Sequence, residues 1–568
     1  MLPKLSGVYR IAGMKFNNND IPNGKWNGID LIKEKEKPKP IVRTRLFEYT
    51  IDNDYSTIFD HYLPTIYLED GTSSRNFYTK LEVENEAGDL IEDIENIDTD
   101  EVYKIRVWYP SNTKRIESSH GIASVSYLDT KNLKSLRATF SNCDSLRSVY
   151  AKGWNLSNIT DMYQLFAGCT YLNKVEGIED WDVSNITTMQ SMFDGCINYS
   201  VTDLSKWNTA NVTNMSYMFE GCHIGEYHTI RNWDVSNVTT MASMFESARL
   251  ANASFNWNTI NVTNMSHMFD SCTFSESDFS SLITANVTDM SYMFYNSWSF
   301  PKGIESWVTN KVTDMSFMFS KAPSYYTSNK SIDLTSWDVS KVKDMSSMFA
   351  ECKFLDSIDL TGWDTSSVED MGGMFMLCER LGTLKIPSFN TLNVRYMQSM
   401  FRGCTSLYTI DVSHFNTSRV ENMSYMFQNC PNILTLDLSN FNTQKVVSMS
   451  SMFRDCSSLV HIEGLDRFNT NLVSNMSYMF NGCAKLYEIN TYNWDTVHVT
   501  DMQYMFNGCT DLIDLDISGF NTNKVIHSEN MLAGVPASVD LNYDGSNYEN
   551  WTLTEEQTNF EGTFPWNE

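Results

Sequence analysis

The chain is 568 residues long and carries a formal net charge of −28, with an isoelectric point near 4.7. Such an acidic surface repels phosphate backbones and anionic headgroups, which excludes nucleic acid and membrane surfaces as expected partners. No run of about 18 apolar residues occurs, so no membrane-inserted helix is expected.

Residues 1–118 read as a small β-domain suited to anchoring or docking. Leu46–Ile51, Phe77–Val83 and Val102–Tyr109 alternate and are rich in aromatic and β-branched residues, the pattern of half-buried strands. The run Lys33-Glu-Lys-Glu-Lys-Pro-Lys-Pro40 is charged and proline-punctuated, so it reads as an exposed loop, or as a strap onto an acidic partner. The opening residues, Met1 to Arg10, hold no apolar stretch of signal-peptide length, so export by the general secretory route is not expected.

From about residue 119 a repeat takes over. Its landmark phenylalanines are 140, 166, 193, 219, 245, 269, 294, 319, 349, 375, 401, 427, 453, 480 and 506, with a degenerate copy at Met531-Leu532. A fixed period of this size marks a solenoid. The expected architecture is a leucine-rich-repeat-like repeat solenoid of about sixteen rungs over residues 119–535, with a short parallel strand plus a short helix or turn per rung. Residues 536–568 are expected to form a C-terminal cap or tail. Val420-Glu-Asn-Met-Ser-Tyr-Met-Phe-Gln-Asn-Cys430 is a well-kept copy. Its Val, Met, Met and Phe fall at 0, +3, +6 and +7, a spacing that predicts two turns of helix, or one helical turn with an extended lead-in. After Cys404 come Leu407, Ile410, Val412 and Phe415, where a short strand is expected with Ile410 and Val412 inward and Asp411 outward. An Asn or Asp then marks a corner, as at Asp182, Asn208, Asp234, Asn258, Asp364, Asn416, Asn442 and Asp495.

All twelve cysteines lie three residues after a landmark Phe, and the copies without one carry Ala248, Ser297 or Ala322. Exchange for Ala or Ser is the behaviour of a small buried group, so free thiols are expected in a tight corner of the core. The repeated methionines read as core filler. No CxxC pair or in-phase histidine suggests a metal, and no catalytic constellation or cofactor motif stands out, so no enzyme activity and no cofactor are expected.

The motif Phe401-x-x-Cys404-x-x-Leu407-x-x-Ile410-x-Val412 resembles the leucine-rich repeats of BspA-like bacterial surface proteins. The form Asn-Val-Thr-x-Met-Ser-x-Met-Phe, at Asn211–Phe219 and Asn261–Phe269, is similar to the subfamily common in Mycoplasma surface lipoproteins and gut Bacteroides. The resemblance implies an adhesin or a repeat array. Neither a leader nor a lipobox cysteine is expected from Met1 to Arg10, the first cysteine being Cys143; this departure from the bacterial pattern would suit a phage virion protein.

Three outward features are candidate binding sites. The position between the two methionines carries Tyr217, His267, Tyr292, Phe317, Tyr425, Tyr478 and Tyr504, a platform for sugars or a partner protein, or a self-stacking ladder. The outward strand position reads Asp333, Asp359, Lys385, Asp411, Asp437, Glu463, Asn490 and Asp516, which is a solvated face, a surface for a basic partner, or a Ca²⁺ bridge. The irregular stretch 270–345 gathers Trp298, Phe300, Tyr325 and Tyr326 beside the insertion Ala322–Lys330, as a binding loop or as repeat decay. The function expected from all this is a non-enzymatic structural or recognition protein on the exterior of a phage virion. It would dock on other virion or surface proteins through residues 1–118, and bind a host-surface protein or glycan through the solenoid, with homo-oligomers allowed. A bacterial cell-surface adhesin is the first alternative, and a glycan-processing enzyme, which would need paired in-phase carboxylates, the second.

Overall fold

The computed structural model describes residues 9–11, 14–16, 25–26, 29–30, 46–51, 63–75, 78, 80–85, 90–91, 103–118, 121–224, 230–251, 255–275, 277–322, 331–517, 519–542 and 553–562. They fall in two compact units, residues 1–261 and 262–568. Lys33–Pro40, Tyr325 and Tyr326 lie outside the described residues, as do Phe77, Thr79 and Val102 of the expected strands.

The first unit is organised by a six-stranded sheet. Its order in space is Lys174–Glu176, Ser148–Tyr150, Ile122–Leu128, Leu46–Ile51, Tyr103–Trp108 and Lys80–Glu84. Leu46–Ile51 alternates as its sequence suggests, with Phe47, Tyr49 and Ile51 buried. Ile122–Leu128 joins two kinds of structure. On one side it runs antiparallel to Leu46–Ile51, and on the other parallel to Ser148–Tyr150. The antiparallel strands therefore cover the edge of the first rung, an edge whose unpaired N–H and C=O groups would otherwise recruit another chain.

In the second unit the stretch Val420–Cys430 shows how a rung is built. The N–H groups of Met423, Tyr425, Phe427 and Asn429 donate to carbonyls of the next rung, on Ser448, Ser450, Met452 and Arg454. The alternate N–H groups of Met426 and Gln428 donate three residues back. Tyr425 and Asn429 are left-handed, with φ of 62° and 55°. The helix expected here is therefore corrected to a run of tight turns. A helix spends every N–H on its own carbonyls, whereas this segment spends half of them on its neighbour. Among the described residues one α-helix occurs, Glu555–Thr558, with three short 3-10 helices.

The landmark residues do face the core. Val420, Met423, Met426, Phe427 and Cys430 are all fully buried. Ring centroids of successive landmark phenylalanines lie 5.5–6.0 Å apart from Phe140 to Phe245 in the first unit. From Phe269 to Phe506 in the second the range is 5.4–6.0 Å. Buried polar groups are bonded between rungs at several places. Thr417 Oγ1 donates to the Asn442 carbonyl and accepts from its N–H, and the indole of Trp494 donates to the Leu465 carbonyl. The corner expectation holds at all eight positions named above; Asn416 Oδ1, for instance, accepts the N–H of Ser418.

Short parallel strands occupy the opposite wall, pairing Ser357–Asp359 with Thr383–Lys385, Thr435–Asp437 with His461–Glu463, and Glu488–Asn490 with Asp514–Asp516 and then Asp540–Asn542. The rung at 404–420 lacks the strand expected of it: Val412 is buried and Asp411 exposed, but Ile410 is only half-buried. At the far end the missing next rung is replaced. The Leu532 N–H donates to the Thr558 carbonyl at 3.0 Å, Leu553 and Phe560 are buried, and a Thr554–Gln557 capping box starts the covering helix.

Candidate functional site: the outward columns

Because in-register stacking repeats each position at about 4.8 Å, an outward residue type becomes a column. The aromatic column is broken into short stacks. His267, Tyr292 and Phe317 lie face to face at 4.4 and 4.5 Å. Ser347, Gly373 and Ser399 follow, then Tyr425, Ser451, and a second stack of Tyr478 on Tyr504 at 4.9 Å. In the first unit Tyr217 stands between Ser191 and Ser243. Tyr217 and Tyr425 are each 38% exposed, and the Arg402 and Arg454 guanidinium groups lie 5.4 and 4.8 Å from the Tyr425 and Tyr478 rings. Stacking covers ring faces within these two groups, whereas Tyr217 and Tyr425 have only serines as column neighbours. The column's backbone is unusual as well: Tyr217, His267, Tyr292, Phe317, Tyr425, Tyr478 and Tyr504 all have φ between 54° and 62°.

The acidic column has a local role that residue type alone did not reveal. Asp333, Asp359, Asp411 and Asp437 each accept the N–H two residues on, from Thr335, Thr361, Ser413 and Ser439, at 3.0–3.1 Å. The hydroxyls of Thr335, Ser413 and Ser439, and after them these N–H groups, hold Asp333, Asp411 and Asp437 below the ordinary carboxyl range, and Asp359 is lowered too. Asp359 goes furthest, to about 2, chiefly through its bond to Lys385, whose Nζ is 2.8 Å away. The signal for this was in the sequence, as Asp-x-Ser/Thr at each of the four sites.

Trp298 is exposed, whereas Phe300 is buried against the Phe319 ring, 6.0 Å between centroids, so the cluster proposed around residue 300 is partly core. All twelve cysteines are buried and free. Cys169 through Cys222 in the first unit, and Cys352 through Cys509 in the second, donate to the carbonyl of the previous rung's landmark Phe at 3.0–3.3 Å. Burial pushes the thiols of Cys169, Cys196, Cys222, Cys378, Cys404, Cys430, Cys456, Cys483 and Cys509 up, the last to about 12, so these are protonated packing groups rather than nucleophiles.

A further outward column is apolar. The position four residues after Cys carries Tyr408, Leu434, Val460, Tyr487 and Ile513 in five consecutive rungs, exposed by 59, 52, 37, 37 and 64%. Elsewhere the same position holds Arg147, Asn173, Ser200, Asp356 or Gly382.

The family model described as "Mycoplasma protein of unknown function, DUF285" matches residues 81–173, 134–224, 222–332, 324–435, 354–462 and 460–567. The chain belongs to the DUF285 family. Each matched segment spans several of the rungs traced above, and together they run from the strand at Lys80–Glu84 to the C-terminal covering helix. No curated protein matches this DUF285 chain. Among solved structures it is similar to a leucine-rich-repeat protein of Eubacterium ventriosum, at 14% identity over 70% of this chain and 90% of that one, with a TM-score of 0.25. A TLR13–ssRNA13 complex follows at 14% identity, 75% and 67% coverage and TM-score 0.20. A Leptospira interrogans leucine-rich-repeat protein gives 10% identity, 73% and 94% coverage and TM-score 0.17.

Proposed function

We propose that this DUF285 chain is a non-enzymatic recognition scaffold whose solenoid binds a protein or glycan partner outside a phage particle, with its N-terminal residues docked on other particle proteins. One observation carries the reading: the landmark Val, Met, Phe and Cys residues are spent on the core, while the outward columns change chemistry from rung to rung on a repeating backbone. Such a surface is built to be read along its length. A BspA-like adhesin on a bacterial cell is the second reading, favoured by the Mycoplasma family description.

Labelled full-length protein, applied to host cells and to a glycan array, tests the role. Saturable binding with no turnover of the bound glycan is the expected result; hydrolysis of a glycan, or no binding to either, overturns it. Antibody-gold imaging of phage particles against intact bacterial cells separates the two settings.

A further inference from the structure

Resting on the recognition reading, we propose that the column Tyr408–Leu434–Val460–Tyr487–Ile513 docks an amphipathic helix with a basic flank. Five large apolar side chains in consecutive rungs form a continuous exposed ridge. Their registry is fixed by the backbone at two of the four steps: the Val460 N–H donates to the Leu434 carbonyl and the Ile513 N–H to the Tyr487 carbonyl. Thr435 pairs with His461 and Glu488 with Asp514, each one residue beyond the ridge. The landmark core does not need these residues, since the position is polar or glycine in rungs such as those of Asp356 and Gly382. An apolar row that the fold does not use, kept over five rungs, marks a contact surface.

Charge and spacing select the occupant. Alongside the ridge run the exposed carboxylates Asp411, Asp437, Glu463 and Glu488. The His461 imidazole lies 3.3 and 3.2 Å from Glu463 and Glu488, and Arg467 acts on Asp437. The surface is net negative beside an apolar line. A second copy of this chain would set acid against acid, so self-pairing through this face is disfavoured. Rungs repeat at about 4.8 Å, so five of them span about 19 Å. One face of an α-helix repeats at about 5.4 Å per turn and drifts only about 2 Å from the ridge over that distance. An extended strand presents same-face side chains at about 6.8 Å and falls out of step by the third. A helix of about 13 residues, with leucine-like residues on one face and lysine or arginine along its edge, matches both the ridge and its acidic flank.

The test uses the full chain and a fluorescent 14-residue Leu/Lys peptide with leucines at i, i+3, i+4 and i+7. Its controls are a scrambled peptide of the same composition and a Leu/Glu peptide of the same pattern. Fluorescence anisotropy is read for the wild type and for a Tyr408→Ser/Leu434→Ser/Ile513→Ser variant, whose exposed sites leave the fold intact by circular dichroism. Wild-type binding about tenfold tighter than to either control, lost by about tenfold in the variant, is the expected result. Equal binding of the scrambled peptide, or an unimpaired variant, overturns the proposal. So does a concentration-dependent dimer that the variant abolishes, because the ridge would then be covered by a second copy. If the variant still binds host cells as the wild type does, the helix fails and the recognition reading stands; if the wild type binds neither peptide nor cells, both fall.

Discussion

The thiol of Cys456 donates to the main-chain carbonyl of Phe427, one rung earlier, at 3.0 Å. Each such bond ties a buried corner of a rung to the one before it. Burial keeps the Cys456 thiol well above its ordinary range. None of the twelve thiols should therefore react with a disulfide reagent at pH 8 in the native protein, and all twelve should react in denaturant. Cys456→Ala should cost only about 1–2 kcal/mol, since Ala248 and Ala322 fill the same place naturally. Cys456→Leu should cost about 2–3 kcal/mol by overpacking. Denaturant unfolding followed by tryptophan fluorescence measures both.

Asp359 is held from 3.8 down to about 2 by Lys385 and by the Thr361 hydroxyl and N–H. A carboxyl depressed by folding stabilises where it is ionised, so its contribution is full above about pH 4 and fades as pH falls toward 2. Asp359→Asn keeps an acceptor for Thr361 but loses the ion pair. Melting temperatures of the two proteins should differ at pH 5 and converge by pH 2. A difference that stays constant over that window would show that the pair contributes nothing.

Two glycines separate conformational cost from collision. Gly508 has φ +76°, and a Cβ there would meet nothing closer than 3.6 Å, so Gly508→Ala should cost about 1 kcal/mol from the left-handed backbone alone. At Gly464, φ +92°, the same atom would lie 2.6 Å from Ser439 Cα, backbone that cannot step aside. Gly464→Ala should cost at least about 3 kcal/mol. Paired unfolding curves give the order, and equal costs would refute the distinction.

Tyr478 and Tyr504 stack at 4.9 Å with 7° between planes, whereas Tyr425 has Ser399 and Ser451 as its column neighbours. A double-mutant cycle of Tyr478→Ser and Tyr504→Ser should show a coupling of about 0.5–1.5 kcal/mol. Tyr425→Ser, paired with either one, should show none. Loss of host-cell binding in the same variants, beyond any loss of stability, would give the column a binding role too.

Removal of residues 553–568 should leave the Leu532 N–H without the Thr558 carbonyl and expose the apolar end that Leu553 and Phe560 cover. Self-association of the shortened chain, seen by sedimentation, is the expected outcome.

Residue spacing alone identified the repeat, its phase, the buried landmarks from Val420 to Cys430 and the corner bonds of Asn416 and its equivalents. It could do so because burial and turn formation in a stacked rung are imposed on each copy alike, so the chain writes them down some fifteen times. The aromatic position was likewise read as outward, and the structure leaves Tyr217 and Tyr425 partly exposed. Stacking of His267 on Tyr292 and of Tyr478 on Tyr504, however, follows from which rungs are neighbours in space.

The path of the backbone was left to tertiary structure. Apolar residues at 0, +3, +6 and +7 fit a helix as well as a run of turns. The choice between them depends on where the N–H groups of Met423, Tyr425, Phe427 and Asn429 find acceptors, and those acceptors belong to the next rung. For the same reason the ridge from Tyr408 to Ile513 could not be told from core by residue type. Five apolar side chains recur there in phase, as core residues do, and only the stacked backbone turns them to the outside.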